Sequence, residues 1–516
     1  MIAEKMKNMV ANSSAIRAMF EEGNRLAQIY GAENVFDFSL GNPNVPAPEA
    51  VKQAMIDILN EEDPVALHGY TNSNAGYADV RQAVADSLNE RFETAFSGNN
   101  IVMTVGAAGG LNVALKILLN PGDEVIAFAP YFGEYRSYTA NFDGVLVEVS
   151  PNTENFQPKL DEFEQKITEK TKAVIVKTPN NPTGVVYSEE TIQKLAAIME
   201  EKQKEFGTDI YLISDEPYRE LAYDGVEVPY LTKYYNNTIV GYSYSKSLSL
   251  PGERIGYLVI PDEAADSEDL ISAASVATRI LGFVNAPTLQ QKVVKRCLNE
   301  KTDISYYDRN RETLYNGLSE LGFECIKPEG AFYLFVKSPV ADEKAFCQAA
   351  KKYNILIVPG SSFACPGYVR IAYCVSHETI VNSLPKFKEL AKEYSDKEHM
   401  LYLTDLFVKT KVNMLTERIN KHFELCDFKL FEEQINGGLN ECCEVTVDGV
   451  SFSDLNNAMK INSGLDVINT VCDYAKTYAP IFIDNCEAVN QTLQTNSQQI
   501  RLYVTDSDES LRVVNE

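Results

Sequence analysis

Seven short β-rich runs recur between about residues 100 and 260: IVMTV, EVIAFA, GVLVEV, AVIVKT, IYLIS, IVGYSYS and IGYLVI. Helix-like segments alternate with them. Parallel strands need long crossover connections, so this alternation predicts an α/β domain with a mainly parallel sheet. One crossover is explicit in SEETIQKLAAIMEEKQKEFG, which has apolar residues at helical spacing, Ser188 placed as N-cap with glutamates behind it, and a glycine stop.

The rest of the chain is arranged around that block. A single long helix is expected over about 288–320, followed by FYLFV, a helix near EKAFCQAAKKY, ILIVPG and YVRIAYC, which together read as a smaller α+β unit. The helix SHETIVNSLPKFKELAKEYSDKEHM contains Pro385 and ends in a charged stretch near 395–400, read as a linker. From about 401 the texture changes to a helical run, LYLTDLFVKTKVNMLTERINKHF, then strand-like EVTVDGV, a polar helix and PIFIDN. With 516 residues and roughly 150 residues per domain, about three domains are expected. No repeat at solenoid periods and no low-complexity tract is visible.

Composition narrows the function. A net charge of −26 without a basic run disfavours nucleic acid and anionic membrane as partners of the main body. Any anion site must therefore be built from local donors. No stretch approaches the roughly 20 apolar residues of a membrane helix, and the N-terminus lacks the apolar run of a secretory signal, so cytosol is the default compartment. Ten cysteines without a CxxC, and only four histidines, offer no zinc cluster. No metal is expected, and the cysteines are expected as reduced, mostly buried thiols.

Four polar features fall just after β-runs: Gly106-Ala107-Ala108, Asn181, Asp215, and Ser243 to Lys246. Ligands of open α/β sheets bind outside the carboxyl ends of strands, so these residues are expected to converge on one cleft. GAAGGLNVALKILLNPGD joins small residues to the start of an apolar-periodic helix, which lets backbone N–H groups and the positive helix end approach a phosphate. Small residues at such a turn also serve packing, and both readings stand. In SYSKSLSLPGERIGY, Ser243 and Ser245 precede Lys246, and Arg254 lies eight residues beyond it. Hydroxyls with a guanidinium suit a phosphate dianion. A lysine at the end of a buried strand has its amine pKa lowered, which favours condensation with a carbonyl. The alternative is a rim lysine that snorkels to water.

Asp215 in ISDEPYRE suits a protonated pyridine nitrogen, with Tyr218 one helical turn on donating to a phenolate oxygen; the alternative for Asp215 is a helix N-cap. The Asn-Pro-Thr-Gly turn of KTPNNPTGVVY is a conventional loop signal that also holds the Asn181 amide at a strand mouth. In VRIAYC, Arg370 sits among apolar neighbours that make an unpaired guanidinium costly, so either a ligand carboxylate or an internal ion pair to one of 73 acidic residues must compensate it.

Together these features resemble the fold-type I, pyridoxal 5'-phosphate-dependent aminotransferases of class I/II, of the aspartate aminotransferase kind, over about residues 10–395. SLGNPN around Gly41, Tyr70 followed by Gly76, NNPTG, DEPY, SxSK, Arg254 and Arg370 carry the resemblance in order and spacing. It implies a homodimer, in which the amides of Ala107 and Ala108, with Ser243, Ser245 and Arg254, hold the cofactor phosphate together with Tyr70 of the partner subunit. It also implies that Phe132 stacks on the pyridine ring and that Asn181, Asp215 and Tyr218 tune it. Lys246 would be the Schiff-base lysine and proton shuttle, and the substrate α-carboxylate would sit on Arg370 with Asn181 and the Gly41 backbone. The implied reaction is ping-pong transamination between an L-amino acid, aspartate-like first, and a 2-oxo acid such as 2-oxoglutarate. The implied division is an N-terminal arm with part of the small domain at 1–45, a large cofactor domain at 46–287, a small domain at 288–396, and an appendage at 401–516.

The chain departs from the resemblance in GAAGGL, where prokaryotic aspartate and prephenate aminotransferases commonly carry a lysine that helps select a dicarboxylate. Aromatic and aliphatic donors are therefore the competing substrates. A C–S lyase or decarboxylase on the same scaffold, or a catalytically idle binding module, are the competing functions. In the appendage, LNNAMKINSGLDVINT and APIFIDNCEAV resemble the signature region and Walker-B strand of the C-terminal lobe of SMC/Rad50-like ATPases, with Asp484 as the magnesium-side acid. Asn485 replaces the usual following carboxylate and no GxxxxGK[ST] loop is present, so autonomous ATPase activity is not expected. A plain helix-strand packing module is the alternative.

Overall fold

The computed structural model describes residues 2–11, 15–434, 439–506 and 509–515. The expected arm and appendage therefore each include a few positions outside the described residues. Strand β1 (Phe36–Asp37) precedes seven strands that form the central sheet: β2 (Ile101–Thr104), β3 (Glu124–Phe128), β4 (Val145–Val149), β5 (Thr171–Val176), β6 (Tyr211–Asp215), β7 (Thr238–Ser243) and β8 (Gly256–Val259). Their order is β2-β8-β7-β6-β5-β3-β4, and only β8 runs against its neighbours. Strands β2, β5, β6 and β7 are buried almost throughout, which is why each reads as a continuous apolar run rather than an alternating one.

The crossover helix Glu189–Phe206 begins where the Ser188 hydroxyl accepts the Thr191 amide and ends at Gly207, whose φ of 66° suits a residue without Cβ. Ile192, Leu195, Ala196 and Met199 bury its apolar face against β3 and β5 residues such as Ile126 and Val174. The segment expected as one helix over 288–320 is two, Thr288–Arg296 and Ser305–Glu320. The break is a tertiary effect: the Thr302 amide donates to Ser247 O at 3.0 Å, and Asp303 accepts the Ser305 amide at 3.0 Å, which pins the connection beside the short helix of Lys246.

The smaller unit contains β9 (Tyr333–Lys337), β10 (Ile355–Leu356), β11 (Val358–Pro359) and β12 (Tyr368–Ala372). Strands β11, β12 and β9 form an antiparallel sheet, while β10 pairs in parallel with β1, so the N-terminal segment is knitted into this unit. Its core is aromatic, with Phe38, Tyr307, Phe332, Tyr333, Phe346 and Tyr373 all buried.

The chain divides into two compact units, residues 1–394 and 395–516. The helix His377–Asn420 is continuous through the segment expected as a linker. In the second unit, β13 (Asp427–Glu433), β14 (Leu439–Val447) and β15 (Val450–Ser451) form an antiparallel sheet, and β16 (Ile481–Ile483) pairs in parallel with β17 (Gln499–Arg501). Asp466, on the helix Asn457–Ala475, is buried and accepts the amides of Glu424, Leu425 and Cys426 at 3.1, 2.8 and 2.9 Å. No helix among the described residues is long and apolar enough to cross a membrane.

Candidate active site

Strands β5, β6 and β7 are mutually parallel, and β2 runs with them because β8 is antiparallel to both β2 and β7. Their carboxyl ends therefore open on one edge of the sheet. Thr104 and Ser243 both register with Gly256, so the turn into Gly106–Ala108 and the turn into Lys246 emerge on either side of β8.

Lys246 lies in the short helix Tyr244–Ser247 that continues β7. Its half-buried Nζ donates to Gly41 O at 2.7 Å and sits 5.1 Å from the Phe332 ring centroid and 5.9 Å from that of Tyr218. Burial pushes its amine pKa down to about 8, with Lys177, Arg254 and Arg370 adding repulsion. The neutral amine, which is the nucleophile, is thus accessible near neutral pH.

Ala107 and Ala108 occupy the first turn of the helix Gly106–Leu118, where backbone N–H groups have no intrahelical partner. Gly106 has φ 71°, and a Cβ on it would lie 3.0 Å from Arg254 Nη2, so glycine is what lets the guanidinium close over the helix start. Deeper in the helix, a Cβ on Gly110 would lie 3.2 Å from Leu258 Cδ2. At Gly110 the small residue serves helix packing, whereas at Gly106 it makes room for the Arg254 guanidinium. Arg254 itself has φ 54°, a left-handed conformation that costs a non-glycine residue about 1 kcal/mol. The Ser243 and Ser245 hydroxyls, just before Lys246 in sequence, meet at 2.7 Å.

Asp215 ends β6 with both oxygens buried. Its Oδ2 accepts from Tyr135 Oη at 2.5 Å and from Lys177 Nζ at 2.6 Å, whereas Oδ1 has no partner. Tyr218 is buried and its hydroxyl meets that of Tyr333 at 2.7 Å. Phe132 packs edge-on to Tyr135 with centroids 5.8 Å apart.

Arg370, on β12, is 2% exposed and makes no ion pair among the described residues. Its Nη1 donates to Asn181 Oδ1 at 3.0 Å and its Nη2 to Ser39 O at 2.5 Å, while Nε is buried without a partner. The rings of Tyr333 and Phe363 lie 4.5 and 4.8 Å from the guanidinium carbon, and burial lowers its pKa. A Cβ on Gly41 would lie 1.9 Å from Tyr333 Oη, which explains glycine there. Tyr70, 82% exposed, stands apart from these groups as a solvent-facing side chain.

The residues fit a phosphate-bearing pyridine aldehyde. Lys246 supplies a nucleophilic amine, Asp215 Oδ1 a buried acceptor for a ring N–H, and Gly106 with Arg254 a cradle that a Cβ would fill. Sequence reasoning passed over Lys177, Tyr135 and Tyr333. Lys177 was visible at the end of AVIVKT, but its partner Asp215 becomes evident only from the β5–β6 register, in which Val176 pairs with Ser214.

A family model described as aminotransferase class I and II matches residues 33–385. A probable aspartate/prephenate aminotransferase of Aquifex aeolicus is 32% identical over 376 residues, which cover 70% of this chain and 92% of that protein. An amino transferase of known structure from Eubacterium rectale is 48% identical, with a TM-score of 0.74 over 76% of this chain and 99% of its own. The aspartate aminotransferase of Thermus thermophilus, solved with maleate, is 28% identical with a TM-score of 0.68 over 76% of this chain and 99% of its own.

Proposed function

The chain belongs to the class I and II aminotransferase family, and from that premise we propose that it moves the amino group of an aspartate-like L-amino acid to a 2-oxo acid such as 2-oxoglutarate. It is a pyridoxal 5'-phosphate-dependent aminotransferase with the fold-type I architecture. The choice of an acidic donor leans on relatives named for aspartate and prephenate. Aromatic and aliphatic donors are the competing outcomes of a donor panel.

The bound cofactor supplies an electron sink for the substrate's Cα–H bond and a temporary resting place for the amino group. In the proposed assignment, the first-turn amides of Ala107 and Ala108, the hydroxyls of Ser243 and Ser245, Arg254, and Tyr70 of the partner subunit hold the phosphate. Phe132 would stack on the ring, Asp215 Oδ1 would accept from the ring nitrogen, and Asn181 and Tyr218 would hydrogen-bond the phenolate oxygen. Lys246 would hold the cofactor through its amine and, as a free base beside the site, would move the substrate's Cα proton. Arg370, with Asn181 and the Gly41 backbone, binds the α-carboxylate.

The single observation that carries transamination is Arg370: a buried guanidinium with no carboxylate partner among the described residues, in the same cleft as Lys246. Incubation with an amino acid and 2-oxoglutarate is expected to yield glutamate and the matching 2-oxo acid. Ammonia and pyruvate released without an acceptor would instead identify a C–S lyase, and protein without a cofactor chromophore would identify an idle module.

The assignment includes a homodimer with shared sites, a cytoplasmic location, and a division into an arm at 1–45, a large domain at 46–287 and a small domain at 288–396. For the appendage at 401–516, the resemblance to an SMC/Rad50-like C-terminal lobe is supported by β16 leading directly to Asp484 and by the helix Asn457–Ala475, capped by Asn456. Its test is nucleotide binding by the full chain. Retention of ATP would extend that reading, and its absence would leave a packing module.

A further inference from the structure

Strand β5 ends at Val176, paired with Ser214, so the next residues, Lys177 and Asp215, are neighbours across the sheet. Lys177 Nζ lies 2.6 Å from Asp215 Oδ2, and its side chain is 5% exposed. Tyr135 donates to the same oxygen, and Oδ1 is left without a donor. Lys177 Nζ is 5.6 Å from the Phe132 ring centroid and 5.2 Å from that of Tyr218. Lys246 Nζ approaches the same Tyr218 ring at 5.9 Å, so two lysines face one aromatic ring of the site. Buried ion pairs seldom repay their desolvation against an apolar pair of similar volume, so stability alone gives no reason for a lysine here.

We propose that Lys177 is a positioning residue that sets the charge beside the cofactor ring: it fixes Asp215 through Oδ2, turns Oδ1 toward the ring nitrogen, and makes proton loss from the cofactor held on Lys246 easier. The inference rests on the proposed reading in which Asp215 faces that nitrogen. The groups facing the pair are Tyr135 and Tyr138 from the helix Glu134–Asn141, Tyr218 beyond β6 and Lys246 beyond β7. Arg254, Arg370 and Cys374 lie further out around Lys246. At an effective dielectric constant of about 20, one unit charge within about 10 Å of a titrating group is worth roughly one pH unit or more.

The test is a titration of the visible absorbance of the cofactor-loaded protein between about pH 5 and pH 10, for the wild type and for Lys177→Met, Lys177→Gln and Lys177→Arg. The midpoint is expected to rise by about one unit or more in both neutral variants and to stay within a few tenths of a unit in Lys177→Arg. Tyr135→Phe removes the other donor to Oδ2 without changing charge and is expected to titrate close to the wild type. Neutral variants with the wild-type midpoint would overturn the proposal. So would a full-unit shift in Tyr135→Phe, which would assign the effect to hydrogen bonding, and that variant carries the test if the neutral lysine variants do not load. A wild-type protein without any visible titration, or a Lys246→Ala variant that keeps it, would mean that the cofactor assignment itself had failed.

Discussion

Arg370 and Asn181 are joined by a 3.0 Å hydrogen bond between residues far apart in sequence, one on β12 of the small sheet and the other in the turn beyond β5. The bond aligns a guanidinium edge without supplying a counter-charge. Ser39 O and the rings of Tyr333 and Phe363 complete the surroundings, and none of these carries a full negative charge at neutral pH. Burial in such a site costs folding free energy that a bound carboxylate recovers.

Activity and stability should therefore separate at this residue. Arg370→Met is expected to lower kcat/KM for every amino donor by about a hundredfold or more, since charged hydrogen bonds contribute roughly 1.5–3 kcal/mol each. The same change should leave thermal stability unchanged or raise it by about 1–3 kcal/mol, because an unpaired buried charge is removed. Steady-state kinetics and a thermal melt of the same preparation check both. A destabilised protein with intact affinity for all donors would make Arg370 a structural residue.

The amine of Lys246 is pushed from 10.5 down to about 8 by burial, so its nucleophilic form gains population about two units earlier than that of a solvent-exposed lysine. The rate at which apoprotein takes up pyridoxal 5'-phosphate should climb about tenfold per pH unit below that value and level off above about pH 8. Linkage gives the matching sign for stability. Because the folded-state pKa lies below the unfolded one, the protonated lysine destabilises the fold fully below pH 8, and the penalty is lifted as pH rises from about 8 to 10.5. Stopped-flow absorbance against pH measures the first effect. A rate still rising steeply at pH 10 would show that the amine is unshifted.

Much of this protein is legible in the sequence because its central strands are buried on both faces and read as unbroken apolar runs, with chemistry placed at their carboxyl ends. The crossover helix is equally plain, since the Ser188 cap and the Gly207 stop are local signals. What was missed depends on partners distant in the chain. The break between Arg296 and Ser305 is enforced by Ser247, and β13, DFKLFEE, is defined by its pairing with β14. In the same way the Lys177–Asp215 pair follows from strand register, and the Tyr218–Tyr333 contact joins residues 115 positions apart.

Gly106 offers a test of the phosphate cradle that leaves Lys246 untouched. Its φ of 71° and the 3.0 Å approach of Arg254 Nη2 to a built Cβ mean that Gly106→Ala must strain the backbone and push the guanidinium away. Cofactor affinity is expected to fall about tenfold or more, since 1.4 kcal/mol already accounts for a factor of ten. Equilibrium dialysis with pyridoxal 5'-phosphate gives the number, and circular dichroism reports whether the fold persists. Unchanged affinity would move the phosphate away from this helix start.

Tyr70 is 82% exposed, an unusual setting for a large aromatic side chain and the one expected if it completes the site of the partner subunit. Subunit mixing tests this directly. Lys246→Ala and Tyr70→Ala variants should each be impaired, the first entirely and the second through weakened cofactor binding. If Tyr70 acts across the dimer, a hybrid of the two contains one site with both residues native and one with neither. Equal amounts mixed under conditions that exchange subunits should then recover about a quarter of wild-type activity, since roughly half the dimers are hybrids and each has one working site. If Tyr70 serves its own subunit, every hybrid site lacks one of the two residues and mixing restores nothing. Activity before and after exchange, with sedimentation confirming a dimer, decides between them.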